Sequence, residues 1–128
     1  MEKYLYFRTQ ATIGDDDAAS DSCMFPLSRM TGMVPSADDT LNIYFSPMVM
    51  KEKVQFDHDG DSTTSVKSDH VVVTLSAVNT HADVIAALTK KFADTFRTDG
   101  YLSVADDKEG TYCVSGIAGL STISVTLT

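Results

Sequence analysis

Three histidines, two cysteines and two runs of aspartate are the residues that could do chemistry here, and their spacing limits what each could do. The histidines are His58, His70 and His81. Asp69 adjoins His70, and Asp83 follows His81 by two. Neighbours in a strand point to opposite faces, so Asp69 does not orient His70 as a catalytic carboxylate would. Cys23 and Cys113 lie far apart with no C-x-x-C companion, so zinc-ligand spacing is missing. No serine stands in a G-x-S-x-G elbow, and no glycines frame a phosphate loop. Asp15-Asp16-Asp17 offers carboxylates to a hard cation, but consecutive side chains splay apart, which suits a solvated loop better. Asp57-His58-Asp59-Gly60-Asp61 opens like a calcium loop, with Asp57, Asp59 and Asp61 as the candidate ligands. The sixth and twelfth positions of that loop, normally Gly and Glu, are Ser62 and Ser68. An Asp-Gly hairpin turn explains the stretch with fewer assumptions. The expectation is a non-enzymatic protein with no cofactor and no metal.

Positioning falls to one strand-to-helix unit, 70–100, flanked by strands. Val71 to Leu75 is β-branched or apolar almost throughout and reads as a strand buried on both sides. Thr80-His81-Ala82-Asp83 has the form of a capping box, in which the Thr80 hydroxyl accepts from the third helical N–H and Asp83 reaches back. Ile85, Leu88, Phe92 and Phe96 then recur at three, four and four residues, with Val84 and Ala93 at the margins. Lys90, Lys91, Asp94 and Arg97 take the other side, and Gly100 offers a left-handed stop. This amphipathic helix, at about 80–97, plugs a β core.

Before it, 3–9 alternates Tyr4, Tyr6 and Arg8 against Leu5 and Phe7. The strand 22–27 contains Pro26 and so belongs at an edge or bend. Residues 30–34 continue it past Gly32, and 35–39 form a turn. Leu41, Ile43 and Phe45 alternate with Asn42 and Tyr44, and a further alternating stretch ends at Phe56. After the helix come strands at 101–105 and 111–115, separated by a polar turn at 106–110. Gly116 and Gly119 mark a bend, a bulge or a close backbone approach. The last strand, 121–128, sets Ile123, Val125 and Leu127 against Ser124, Thr126 and Thr128. The expected fold is mainly β with one helix (α+β), a small, strongly bent antiparallel sheet or open barrel.

The chain has 128 residues and a formal charge of −8. That is one domain, and its charge disfavours nucleic acid and acidic membranes as partners. Nothing approaches the roughly eighteen consecutive apolar residues of a membrane-spanning helix, and the N-terminus lacks a signal peptide's pattern. A soluble protein with two half-buried thiols is expected. A disulfide between Cys23 and Cys113 stays open for an oxidising compartment.

One stretch resembles a known family. Met30-Thr31-Gly32-Met33-Val34-Pro35-Ser36-Ala37-Asp38-Asp39-Thr40-Leu41-Asn42-Ile43-Tyr44-Phe45 is similar to the first Sm motif, with Gly32, Asp38 and Asn42 at its glycine, aspartate and asparagine. Cys113-Val114-Ser115-Gly116 resembles the second motif, with Ser115 in place of the usual arginine. Thr40 occupies the position of an aromatic residue or histidine. The resemblance implies one Sm-like domain over 1–128, with a helix-containing insertion at about 46–100. It also implies nucleic-acid contacts at Asp38, Asn42 and Gly116. The opening Tyr-Leu-Tyr-Phe strand and the Met24-Phe25-Pro26-Leu27 segment also resemble small marine bacteriophage proteins, cyanophage ones in particular. That resemblance implies a cyclic homo-oligomer in the virion or host cytoplasm, with other virion proteins as further partners.

An open barrel leaves edge strands that must be paired or protected. The terminal strand, carrying Ser121, Ile123, Val125 and Leu127, has no Lys or Pro to guard it. It pairs either across a subunit boundary or within its own sheet. The reading is therefore a phage structural or assembly protein that forms a ring through edge strands. The alternative is an Sm-like single-stranded nucleic-acid binder.

Overall fold

Residues of period-two apolarity become strands, and the period-3.6 stretch becomes the one α-helix among the described residues. The computed structural model describes residues 3–9, 21–47, 55–56, 62–63 and 69–125. In chain order these form β1 (Tyr4–Arg8), β2 (Ser22–Pro26), β3 (Met30–Ala37), β4 (Thr40–Phe45), β5 (Gln55–Phe56) and β6 (Ser62–Thr63). They continue as β7 (Asp69–Leu75), α1 (His81–Thr95), β8 (Tyr101–Asp106), β9 (Thr111–Tyr112) and β10 (Ile117–Ser124). The first sheet runs β2-β1-β8-β9 and the second β10-β7-β4-β3, while β5 and β6 pair with each other. Pairing is antiparallel except between β1 and β8.

The two sheets and the helix share one core. Leu5, Phe7, Phe25 and Val104 come from the first sheet, and Leu41, Ile43, Phe45, Val71 and Val73 from the second; all are fully buried. Phe25 and Phe45 stack with centroids 4.1 Å apart, and Phe7 meets both edge-on at 6.0 and 6.1 Å. Burying each such side chain stabilises the fold by roughly 1.5–3 kcal/mol. The helix adds Val84, Leu88, Phe92 and Phe96. Their spacing of four centres the stripe on Val84. Ile85, expected at the centre, is half-buried, and Ala93 is exposed.

The mainly β fold with one helix is as expected, but the sheets do not close into a barrel. The chain leaves the first sheet at Pro26, which cannot donate to a ladder, and a 3-10 turn at Leu27–Arg29 carries it to the second. On the far side β10 packs against β8 and β9. The joint there is a side chain: the Leu120 N–H donates to Asp107 Oδ1 at 3.1 Å. The segment 46–100 supplies β7, which lies between β4 and β10.

Other expectations change for local reasons. β7 is buried on one face only, with Asp69, Val71, Val73 and Leu75 inward and His70, Val72 and Thr74 half-buried opposite them. Its neighbours' outward residues are polar, so the apolar run does not report a two-sided core. Thr80 makes no capping bond; its hydroxyl donates to Ala77 O at 2.8 Å. The helix ends at Thr95, and Gly100 does not take left-handed angles; its carbonyl instead accepts from Tyr4 N–H at 2.9 Å. The cation at the helix C-terminus comes from across the chain, Lys3 Nζ donating to Phe96 O at 2.7 Å. β3 runs through Pro35 to Ala37, leaving only Asp38 and Asp39 in the turn. β9 is two residues long, and β10 begins at Ile117.

One ion pair ties β1 to β8. Arg8 Nε and Nη2 donate to Asp106 Oδ1 and Oδ2 at 2.9 and 2.6 Å. Asp106 also accepts from the Lys108 and Glu109 backbone N–H groups. Burial alone would raise the Asp106 pKa, but the Arg8 hydrogen bonds and charge and the two backbone donors together hold it below the ordinary value. As pH falls, the unfolded chain therefore takes up this proton first. The contribution is full above the ordinary carboxylate value of about 3.9 and is lost as the pH drops from there toward the folded value. Asp106→Asn is expected to lose about 1–3 kcal/mol at pH 7, since it removes the carboxylate charge from a half-buried bidentate pair. Urea unfolding across pH should also show a shallower acid-side slope for the variant than for the wild type.

Candidate functional site

Backbone groups face away from the ladder at sheet edges, and in the two four-stranded sheets four strands carry them. β2 is five residues long and ends in Pro26. β9 has only two residues. β10 is broken by register shifts between Ile117 and Gly119 and between Leu120 and Thr122, and Asp107 caps its Leu120 N–H. Such bulges and caps keep an edge from templating another strand. β3 is eight residues long and carries no charged side chain, and it is exposed from Val34 onward. Its guards are Pro35 and two register shifts, which leave Gly32 to Pro35 in regular register with β4.

The tip of the β3–β4 hairpin is held by the segment that starts the helix. Asn79, left-handed at φ 60, donates its N–H to Asp38 O at 2.9 Å, and Leu75 N–H donates to Asp39 O at 2.7 Å. His81 Nε2 lies 2.8 Å from Ala37 O and 2.9 Å from Thr40 O. Carbonyl oxygens only accept, so Nε2 carries its hydrogen and shares it between them. At the other end Ser46 N–H donates to Arg29 O at 2.8 Å. Exposed Arg29 and exposed Asp38 therefore bracket the edge strand.

The residues matched to the Sm motifs go to three places. Asp38 sits in the exposed turn, and Asn42 lies within β4, opposite Val34 on one side and Val72 on the other. Gly116 precedes β10, and its carbonyl accepts from Ser76 N–H at 2.9 Å. A Cβ on Gly116 would lie 2.7 Å from Val84 Cγ2, so helix packing accounts for this glycine. Asn42 opens a small polar face on the outer side of the second sheet. Its Nδ2 donates to Tyr44 Oη at 3.0 Å, and the Tyr44 and His70 rings lie 5.6 Å apart. Asn42 Oδ1 is buried without a hydrogen-bond partner among the described residues.

Of the terminal-strand residues, Ser121 and Ile123 lie in β10 with Ile123 buried. Val125 follows the strand, half-buried against the core, and Leu127 lies outside the described residues. Asp57, Asp59, Asp61 and the 15–17 cluster also lie outside them; the flanking β5 and β6 pair antiparallel. Among the described residues no three His, Cys, Asp or Glu side chains gather as a metal site. Cys23 and Cys113 are free thiols, each pushed up to about 11 chiefly by burial. Cys23 is on β2, and Cys113 follows β9 at the opposite edge of the first sheet. Three strand spacings of about 4.8 Å separate those edges, too far for a disulfide. Asp107 also accepts from Tyr112 Oη at 2.7 Å, which pushes the phenol up to about 12. No helix among the described residues is long and apolar enough to cross a membrane. Comparison with protein-family models, curated proteins and solved structures finds no match.

Sequence reasoning missed β3 as an edge because Pro35 reads as a turn. The available signal was that a proline inside a strand-like run belongs on an edge. It also missed the His81 bridge, which joins residues 41 and 44 positions apart.

Two expectations follow. His81→Ala should cost about 0.5–1.5 kcal/mol, as an exposed and a half-buried carbonyl lose a shared donor, and amide exchange should quicken first at the hairpin tip. Gly116→Ala should cost about 1–3 kcal/mol by overpacking. Adding Val84→Ala should recover part of that cost in a double-mutant cycle if the glycine serves packing.

Proposed function

We propose that this protein is a non-enzymatic assembly protein whose copies join through a sheet edge into a cyclic homo-oligomer. The observation that carries this reading is β3, an uncharged eight-residue edge strand on a sheet whose other edge is bulged and capped. The unpaired donors and acceptors of an edge strand recognise another extended strand. The resemblance to small marine phage proteins supports a place in the virion or the host cytoplasm, beside other virion proteins. Sedimentation equilibrium of the full chain should give a mass that rises with concentration to a fixed multiple of 13.9 kDa. A single-copy mass at every concentration refutes the reading.

A second reading, single-stranded nucleic-acid binding, is favoured by the Asn42 amide. Its nitrogen donates to Tyr44 Oη, whose ring lies 5.6 Å from that of His70, and such rings stack on bases. Against it stands the charge of −8, with Arg8 held by Asp106 and Lys3 by Phe96 O. Fluorescence anisotropy with short oligonucleotides at moderate salt tests it. Binding that weakens at least tenfold in Asn42→Ala, about 1.4 kcal/mol, would support it, and no binding would remove it.

A further inference from the structure

We infer that the joining edge is β3 and that its occupant is the β3 strand of a second copy, related by a two-fold axis and running antiparallel. This rests on the assembly reading and names the seam. The chemistry of the edge selects an extended strand, and three features of β3 select its own copy. The first is charge. Arg29 precedes the strand and Asp38 follows it, both exposed. An antiparallel two-fold centred on Met33 brings the 3-10 turn of each copy, where Arg29 also donates to Pro47 O at 3.3 Å, to the hairpin turn of the other, where Asp38 sits. The pairing thus closes with opposite charges at both ends, in a chain whose net charge of −8 otherwise repels its copies.

The second feature is shape. Residues opposite one another in an antiparallel pair share a face, and the same register puts Val34 of one copy opposite Gly32 of the other. Val34 is 50% exposed. A Cβ built on Gly32 meets nothing within 4 Å. The projecting side chain of one copy therefore fills the gap on the other, twice. The third feature is the proline. In an edge strand the side of Pro35 that lacks an N–H faces away from the sheet. By alternation Met33 then offers its N–H and C=O outward, where a central pair of residues exchanges both bonds. A head-to-tail ring would need a second edge: the Asp107 cap and paired bulges leave β10 no regular ladder, β2 ends in Pro26 and β9 has two residues. The seam is thus isologous and closes at two copies.

The test is sedimentation of the full-length chain from about 10 μM to 1 mM, a range suited to an interface one strand wide, at the small end of specific contacts. The expected result is a monomer–dimer equilibrium. Arg29→Asp should weaken it by about tenfold, since both terminal attractions become repulsions. Arg29→Asp combined with Asp38→Arg should restore it to within about threefold, which a folding defect would not do. Val34→Lys should abolish dimers in this range, and Ser121→Lys on β10 should leave them unchanged. Circular dichroism of each variant verifies folding. A wild type that stays monomeric at 1 mM overturns both this inference and the assembly reading. An oligomer that survives Val34→Lys and is broken by Ser121→Lys overturns the β3 seam alone. So does a stable assembly of more than two copies that none of the β3 variants alters.

Discussion

An edge strand carries backbone donors and acceptors that face away from its sheet, and a fold of two four-stranded sheets has four such edges. Nearly everything unusual about this chain is an answer to that constraint. Pro26 and the 3-10 turn behind it end β2. Brevity limits β9, and bulges with an aspartate cap interrupt β10. β3 carries Pro35 and two register shifts, yet keeps Gly32 to Pro35 in regular register and has no charge along its length. The same devices explain why the sheets stay separate. Closure into a barrel needs a continuous ladder across both seams. One seam is broken by Pro26, and at the other a carboxylate stands where a backbone carbonyl would.

The core makes this arrangement rigid enough for the edges to matter. Phe7, Phe25 and Phe45 lock the two sheets face to face, and the helix stripe seals what they leave open. Polar contacts between distant segments then fix the periphery. Lys3 holds the helix C-terminus, Arg8 holds β8, and His81 holds the β3–β4 tip. The hairpin bearing the edge strand is therefore pinned at its tip by the helix start and at its base through Arg29 and Ser46. A strand fixed at both ends loses little further freedom on pairing, which favours association.

How much of this could be read from the residues depended on whether the governing interaction was local. Leu5 and Phe7, Leu41 to Phe45, and the helix were legible because period-two and period-3.6 burial are local patterns. The helix phase was misjudged by one residue, since Ile85 and Val84 are equally apolar and only Gly116, far along the chain, makes room for Val84. The Thr80 cap failed because Ala77 O, in the preceding turn, offered the hydroxyl a competing acceptor. The run at 71–75 looked two-sided because Val72 is apolar, yet its cross-strand neighbours are Asn42 and Thr122. At the candidate site, Asn42 was singled out by its motif position. Tyr44 and His70 come together only through the β4–β7 register, which a sequence does not display. Asp38 and Gly116 were singled out with it, but the fold sends one to a turn and the other against the helix.

The most direct measure of whether β3 is the working edge is amide hydrogen exchange of the wild-type chain at low and high concentration, read strand by strand. Protection at the outward-facing Met33 N–H is expected to rise with concentration, while β2, β9 and β10 exchange at unchanged rates. Protection that rises at 117–124 instead, or at no strand at any concentration, would contradict it.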